Sequence, residues 1–379
     1  MKKLISLIRS IKNYFIEYKN IHKSFMLSKK NIKIKKKYKV VSNVNINLKF
    51  NDNLFQRLRI NFLNEIYKTS GHWKEIYKSM NLDKLLDDLN KKDNKFFYET
   101  ISQPHNNEIH HGFSEITKSI TSTYKYFDFY YYETIYDCVF RTACSLGLVR
   151  LPEVYHKNNN QTQSIEEILD KIFNKINAKS DFRNTFSMEK GISTTKYGIV
   201  SYVSAQQLYH AIKVLKFTEN IKNPKILEIG AGLGSSAYHL WNFGIKNYSI
   251  MDLPLSAISI GYNLSSLIGD KNILFNKEIN TEDVVDKIKI FTPDNLNLIE
   301  AEFDLIINCD SITEMSKDVA RKYIDFASRR AKFFLSINHE GNSFSVNELF
   351  KDSSFEKVSR NLTWYRQGYT EELFKNNNL

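Results

Sequence analysis

The sequence predicts an α/β protein, with a doubly wound, mainly parallel sheet in the C-terminal half and a mainly helical N-terminal domain before it. Three observations carry that prediction. From Gly191 onward, short apolar runs alternate with helical stripes, a texture that calls for a parallel sheet covered on both faces. A glycine-rich turn, Glu228-Ile-Gly230-Ala-Gly232-Leu-Gly234, falls directly between one such run and the next helix. Residues 41–190, by contrast, show helical fragments and no clear alternating strands.

The chain has 379 residues, which suits more than one domain, and 42% are hydrophobic, enough to bury a sizeable core. The expected division is a basic amphipathic arm over 1–40, a helical substrate or cap domain over 41–190, and a cofactor domain over 191–379. The arm holds twelve Lys and one Arg against Glu17, a net +12, which is the charge of the whole chain. The other residues carry 41 bases and 41 acids, so they lack the basic face with which a protein grips nucleic acid. Leu4, Leu7, Ile8, Ile11, Tyr14, Phe15 and Tyr18 recur at helical spacing in the arm. Two readings stay open: a helix lying on an anionic membrane, where each cation adds about 1 kcal/mol, or a helix packed on the protein's own body. Charges interrupt every apolar run, so neither a signal peptide nor a membrane span is expected. Cys138, Cys144 and Cys309 show no paired or metal-ligand spacing and read as reduced thiols of a cytoplasmic protein.

Within 41–190, helical patterns are expected near 54–67, 83–89 and 122–146. The segment 124–140 is dense in Tyr and Phe, which suits a buried helix better than a platform for stacking a sugar. His105, His110 and His111 have no accompanying ligand set and suit a surface loop rather than a metal cluster. Beyond Gly191, a helical stripe (Ala205, Leu208, Ala211, Ile212, Leu215) precedes a strand over 225–229. A helix over 235–243 should close at Gly244, and a second strand should span 248–252, with Pro254 opening the next helix. Further strands are expected at 273–275, 303–308 and 332–337, with helices at 281–288 and 317–330. About forty residues follow Glu340, so the last strand of the sheet is expected to be short, missing or replaced.

The chemistry concentrates at the glycine turn. Glycines let the backbone turn tightly and let a ligand approach main-chain atoms, while the N–H groups opening the next helix can face a carboxylate. Asp252 ends the following strand, 22 residues after Gly230, where a carboxylate accepts both hydroxyls of a ribose. A dinucleotide site calls for G-x-G-x-x-G, whereas the spacing here is G-x-G-x-G with an acid two residues before the first glycine. That arrangement favours S-adenosylmethionine (SAM) over a nicotinamide or flavin cofactor.

The runs Ile226-Leu-Glu-Ile-Gly-Ala-Gly-Leu-Gly234, Ile250-Met-Asp-Leu-Pro254, Asn308-Cys-Asp-Ser-Ile-Thr-Glu-Met315 and Leu335-Ser-Ile-Asn-His-Glu340 together resemble the bacterial sugar O-methyltransferase family, associated with surface-polysaccharide assembly. The resemblance extends from about Gly191 to Trp364-Tyr-Arg-Gln-Gly-Tyr369. It implies a Rossmann-like methyltransferase sheet, SAM as cofactor, and a nucleotide- or lipid-linked sugar as acceptor. Carried onto this chain, it places Glu228, Gly230, Gly232, Gly234 and Asp252 around the cofactor. Asn276 is the weaker choice for the adenine edge. Tyr202 and Gln206 either close over the methionine end or merely pack.

Methyl transfer to oxygen asks the protein to align the acceptor and remove a proton. The reacting centre of an open α/β sheet lies beyond the carboxyl ends of its strands. Two polar clusters stand there: Asp310, Ser311 and Glu314, then Asn338, His339 and Glu340. His339 is the first choice of general base, because imidazole titrates near neutrality; Glu314 or Asp310 is the alternative. Ser311, Asn338 and Glu340 are expected to bind the acceptor. A divalent ion on Asp310, Glu314 and Glu340 is compatible with chemistry but not demanded by spacing, and none is predicted. The rival readings are a methyltransferase for another small molecule or for nucleic acid, and a non-catalytic scaffold tethered to a membrane. Base methylation usually places an N-P-P-Tyr-like run where this chain has Asn308-Cys-Asp-Ser311.

Overall fold

The computed structural model describes residues 39–44, 51–62, 94–101, 128–150, 163–183, 188–279, 286–366 and 368–379. Almost the whole arm, His105, His110, His111 and the helix expected at 83–89 lie outside these residues. The early elements are β1 (Lys39–Val44), α1 (Asp52–Phe62), α2 (Asn94–Ile101), α3 (Asp128–Ser145), α4 (Ile165–Lys175), β2 (Met188–Ser193) and β3 (Ile199–Val200). Then come α5 (Tyr202–Phe217), β4 (Ile226–Ile229), α6 (Ser235–Asn242), β5 (Tyr248–Met251), α7 (Pro254–Ile268), β6 (Ile273–Phe275) and β7 (Ile288–Phe291). The chain finishes with β8 (Phe303–Cys309), α8 (Lys317–Arg330), β9 (Ala331–His339), α9 (Val346–Leu349), β10 (Phe355–Leu362) and β11 (Tyr369–Asn376). No helix among the described residues is long and apolar enough to cross a membrane.

The elements fall into two compact units. One comprises Met1–Ile46, Gln103–Arg183 and Ser187–Tyr209, and holds a small sheet in the order β1-β2-β3. Its α4 starts with a capping box, in which the Ser164 hydroxyl accepts from the Glu167 N–H and the Glu167 carboxylate accepts from the Ser164 N–H. Ile165, Ile168, Leu169, Ile172 and Phe173 form its buried stripe. Its outer face is tied to the β2–β3 turn, where Thr195 and Lys196 bond Glu166, and Lys196 and Tyr197 bond Asp170. In α3, Tyr132, Ile135, Tyr136, Val139 and Phe140 are buried, as expected of a core helix. The three short strands were not legible: KVVSNV and MEKGIS carry no sustained alternation of apolar and polar residues.

The other unit comprises Asn47–Ser102, Asn184–Phe186 and His210–Leu379. Its eight-stranded sheet runs β10-β11-β9-β8-β4-β5-β7-β6. The strands from β9 to β6 are parallel, and β11 and β10 close the other end antiparallel. Every residue of β4 and β5 is buried, so both faces of the sheet centre are covered. One core cluster packs Leu227, Ile229, Ile306 and Phe334 against Tyr323, Ile324 and Ala327 of α8, with Phe350 stacked on Phe374 at 3.9 Å.

Helices α1 and α2 count with this sheet. Asn51 caps α1 by accepting from the Leu54 N–H, and Arg57 grips the Glu278 carboxylate through two bonds, Nε to Oε1 at 2.8 Å and Nη2 to Oε2 at 2.6 Å. The same guanidinium pairs with Asp270. Gly261 lets α1 approach α7, since a Cβ there would stand 2.7 Å from Leu58 Cδ2 and 2.8 Å from Phe275 Cε1.

Two expectations change. Ile288–Phe291 is strand β7, between β5 and β6, so the helix expected at 281–288 does not extend to Ile288. The pattern of Ile288, Lys289, Ile290 and Phe291 is too short to tell a strand from a helical stripe. The C-terminal hairpin is complete, with two eight-residue strands and Tyr369–Lys375 paired to Phe333–His339. Its edge strand β10 is mostly exposed and polar, which hid it from an apolar pattern.

Candidate cofactor and acceptor site

The chain leaves β4 and turns through Gly230–Gly234 into α6. Gly230, Gly232 and Gly234 are all left-handed, with φ of 75°, 62° and 76°. At Gly230 space also forbids a side chain, because a Cβ would stand 2.1 Å from Ser311 Oγ. The turn is stitched to β5: the Gly230 N–H donates to the Met251 carbonyl at 2.9 Å, and the Gly232 N–H donates to Asp252 Oδ2 at 3.1 Å. The N-cap of α6 is Gly234, which has no side chain to cap the helix.

Two acids stand beneath this turn. Asp252 is 9% exposed, and burial lifts its carboxyl to about 6 although the N–H groups of Leu253, Gly232 and Ala231 and the Ser256 hydroxyl favour its charge. Glu228 is 2% exposed and accepts from the Tyr248 hydroxyl at 2.9 Å. Burial lifts it to about 8, the Tyr248 bond working against that rise and the nearby Asp252 adding to it. The sheet register explains the meeting, since β4 and β5 are parallel neighbours with Glu228 opposite Ile250.

Asn276 follows β6, and its amide is spent within the protein. It donates to the Asn61 carbonyl and to Thr292 Oγ1, and accepts from the Thr292 N–H. It therefore staples α1 and β7 to the sheet edge, which leaves little of it for an adenine ring. Tyr202 and Gln206 lie on α5 in the first unit; Gln206 is buried, and its Nε2 meets no partner among the described residues.

The second half of the site gathers where β8 and β9 end side by side. Asn308, Ser311 and Asn338 knit the strand ends together: Asn338 Nδ2 donates to Asn308 Oδ1 at 2.8 Å, Asn338 Oδ1 accepts from the Ser311 N–H, and Ser311 Oγ accepts from Asn308. Ser311 and Asn338 thus spend their polar atoms on one another and on the backbone. Asp310 takes a left-handed backbone, φ 56°, and its two oxygens accept from Arg366 Nη1 and the Tyr369 hydroxyl, each at 2.6 Å. The Arg366 guanidinium lies 4.0 Å over the Tyr369 ring. Glu340 is held by Arg360 at 2.7 Å at the surface.

Glu314 differs from these groups. No described residue gives its carboxylate a hydrogen bond or an ion pair, and burial, helped by Asp310 and opposed by Arg366, lifts it to about 7. His339 Nδ1 accepts from the Gly341 N–H at 3.2 Å, which leaves the neutral ring's proton on Nε2. Single ligand atoms of Asp310, Glu314 and His339 lie within 4.8 Å of one another, so the two polar clusters are one. Behind them a buried His210 bonds the Tyr365 hydroxyl, and burial holds that imidazole down at about 4 and so neutral.

Arg366, Tyr369, Tyr365, His210 and Tyr248 had no role in the sequence reading. The run from Trp364 to Tyr369 was part of the resemblance, but only hairpin pairing carries it to Asp310.

A parallel sheet with a glycine turn after its central strand, closed by an antiparallel hairpin inserted beside β9, defines the architecture. The fold is a Rossmann-like methyltransferase fold.

No family model and no curated protein matches the chain. Solved structures do. Magnesium protoporphyrin IX methyltransferase (ChlM) from Synechocystis PCC 6803 with bound SAM is 12% identical, over 46% of this chain and 84% of that one, with a TM-score of 0.34. The mitomycin 7-O-methyltransferase MmcR is 13% identical, over 46% of this chain and 55% of that one, with a TM-score of 0.36. An rRNA methylase from Escherichia coli is 14% identical, over 46% of this chain and 67% of that one, with a TM-score of 0.33.

Proposed function

We propose that the chain is a SAM-dependent O-methyltransferase whose acceptor is a sugar hydroxyl of a glycan or glycan precursor. The observation that carries the reading is the juxtaposition of the left-handed glycine turn with the Asp252 carboxylate on the adjacent strand. These residues suit the cofactor. Asp252 is a buried carboxylate at the turn, lifted to about 6 by burial, and hydrogen bonds from two ribose hydroxyls would favour its charged form further. The N-terminus of α6, opened by a glycine with no capping side chain, suits a carboxylate. When bound, SAM supplies an electrophilic methyl group; the chain's own residues hold the acceptor and take its proton.

For that proton Glu314 is the better base. Its carboxyl is lifted to about 7, so at neutral pH a large fraction is charged and ready to accept a proton. His339, the first choice from sequence, presents its Nε2 as a donor and accepts at Nδ1 only by giving up the Gly341 bond. Asp310 has both oxygens engaged. Arg366 and Tyr369 line the same strand ends and suit an acceptor with several oxygens. The neutral charge of residues beyond the arm supports a small or glycan acceptor rather than nucleic acid. The arm, with its +12, suits attachment to an anionic membrane on the cytoplasmic side, where lipid-linked glycan precursors are built.

The test is transfer of labelled methyl from SAM to extracted glycan precursors, with mass spectrometry of the product. Label appearing only in RNA, or in nothing, would sink the acceptor assignment.

A further inference from the structure

Two consecutive residues of the turn between β10 and β11 reach different elements. The Thr363 N–H donates to the Tyr369 carbonyl at 2.9 Å and closes the hairpin. Tyr365 is buried, and its hydroxyl bonds Nε2 of His210 on α5, the two rings meeting edge to face at 5.4 Å. Its neighbour Arg366 donates to Asp310 Oδ2 at 2.6 Å and lies 4.0 Å over the Tyr369 ring.

Helix α5 is a firm post for the first of these ties. Lys213, one turn beyond His210, pairs with Glu371 of β11 at 2.7 Å, and Phe217 meets Phe333 of β9 edge-on at 5.0 Å. His210 is faced by the Tyr365 hydroxyl, Asp310 and Arg366, and burial keeps its imidazole neutral. A neutral imidazole nitrogen suits a buried phenol, whose hydroxyl is costly to leave unbonded. An arginine head on its long, flexible stem loses much freedom when it is held in one place. Fixing the backbone beside it removes part of that cost in advance.

We infer that His210 and Tyr365 are positioning residues of the acceptor site: the bond between them fixes the turn so that Arg366 stays on Asp310 and keeps its positive charge near the Glu314 carboxylate. The inference rests on the methyl-transfer reading above and names what tunes the base of that same site. One oxygen each of Asp310 and Glu314, with a ring nitrogen of His339, lie within 4.8 Å of one another. The charged and titratable groups that face Glu314 are thus Asp310, His339 of β9, Tyr369 of β11 and Arg366 of the turn. Arg366 favours the charged carboxylate, whereas Asp310 disfavours it. A loosened Arg366 therefore leaves Glu314 protonated to higher pH, and the rising limb of the rate moves the same way.

The test is a double-mutant cycle on the full chain, read by NMR titration of isotope-labelled Glu carboxyls and by the pH profile of methyl transfer. Glu314→Gln identifies the signal. Arg366→Gln should raise the Glu314 midpoint by about one unit, the worth of an opposite charge at close range. Tyr365→Phe should raise it by less, lower transfer at neutral pH about 3- to 10-fold, and leave SAM affinity unchanged. Added to Arg366→Gln, Tyr365→Phe should shift the midpoint no further, because it acts through the arginine. His210→Gln, whose amide can still meet the Tyr365 hydroxyl, should move the midpoint less than His210→Leu. That second pair decides the matter if Tyr365→Phe fails to fold. An unmoved midpoint in Tyr365→Phe, or the same shift with and without Arg366, overturns the inference. Absence of transfer by the wild type overturns the enzyme reading instead, while the titration still decides the role of the turn.

Discussion

Arg366, from the turn before β11, donates to the carboxylate of Asp310, which follows β8 in a left-handed backbone. A residue 56 positions away in sequence thus holds the acid that sequence order places beside the catalytic candidates. With the Tyr369 hydroxyl on its other oxygen, Asp310 has both oxygens engaged, and we propose that it acts as an anchor and not as a base.

Arg366→Gln should therefore lower methyl transfer about 10- to 100-fold, the worth of one charge-assisted hydrogen bond, with SAM affinity unchanged. Steady-state transfer rates beside calorimetric SAM binding check this. Excess chelator should leave the wild-type rate as it was, and a chelator-sensitive rate restored by magnesium would overturn the anchor role.

Glu314 should set the pH dependence of turnover. A base must be charged to act, so the rate rises with pH through about 7 and levels above it. Glu314→Gln should remove that limb and about 10²–10⁴-fold of the rate. His339→Gln should cost far less. If the histidine variant is the crippled one, the roles revert to the order the sequence suggested.

Gly232→Asp should abolish SAM binding, because it puts a side chain and a like charge beside Asp252. Gly230→Ala should act on stability as well. Its left-handed backbone alone costs about 1–3 kcal/mol with a side chain, and the new Cβ collides with Ser311. Thermal unfolding of the two variants, read beside ligand binding, separates the effects.

Without ligand, the pair under the turn should make the protein less stable as pH rises. Glu228 moves from 4.5 in an open chain to about 8 when folded, so between those values the folded state holds more protons. The resulting stability is present in full below about 4.5 and is lost as pH climbs through about 8, at no more than about 1.4 kcal/mol per unit. Glu228→Gln should flatten that part of a melting-temperature profile. A wild-type profile that climbs from pH 5 to 8 would contradict the burial of an unpaired acid.

The glycine-turn half of the candidate site was readable because its parts are local. Glu228 through Gly234 is one strand end and one turn, and Asp252 is the end of the next strand, so regular spacing implies proximity once the strands are parallel neighbours. The acceptor half was only partly readable. Asp310, Glu314 and His339 were picked out by lying at strand ends, but their roles depend on partners drawn from a distant hairpin and on burial. Asn276, Ser311 and Asn338 have residue types suited to ligands, and their amides and hydroxyls turn out to be committed to the frame.

By itself the sequence determined which segments are strands at the sheet centre and where the backbone must be bare. These follow from periodicity, glycine and chain direction, which act over a few residues at a time. Only the tertiary structure decided that the C-terminal hairpin exists in full, that Arg366 and Tyr369 reach Asp310, and that Glu314 rather than His339 is the unpaired group. Those outcomes depend on desolvation and on hydrogen-bond partners far apart in the chain, and no local pattern of residues encodes either.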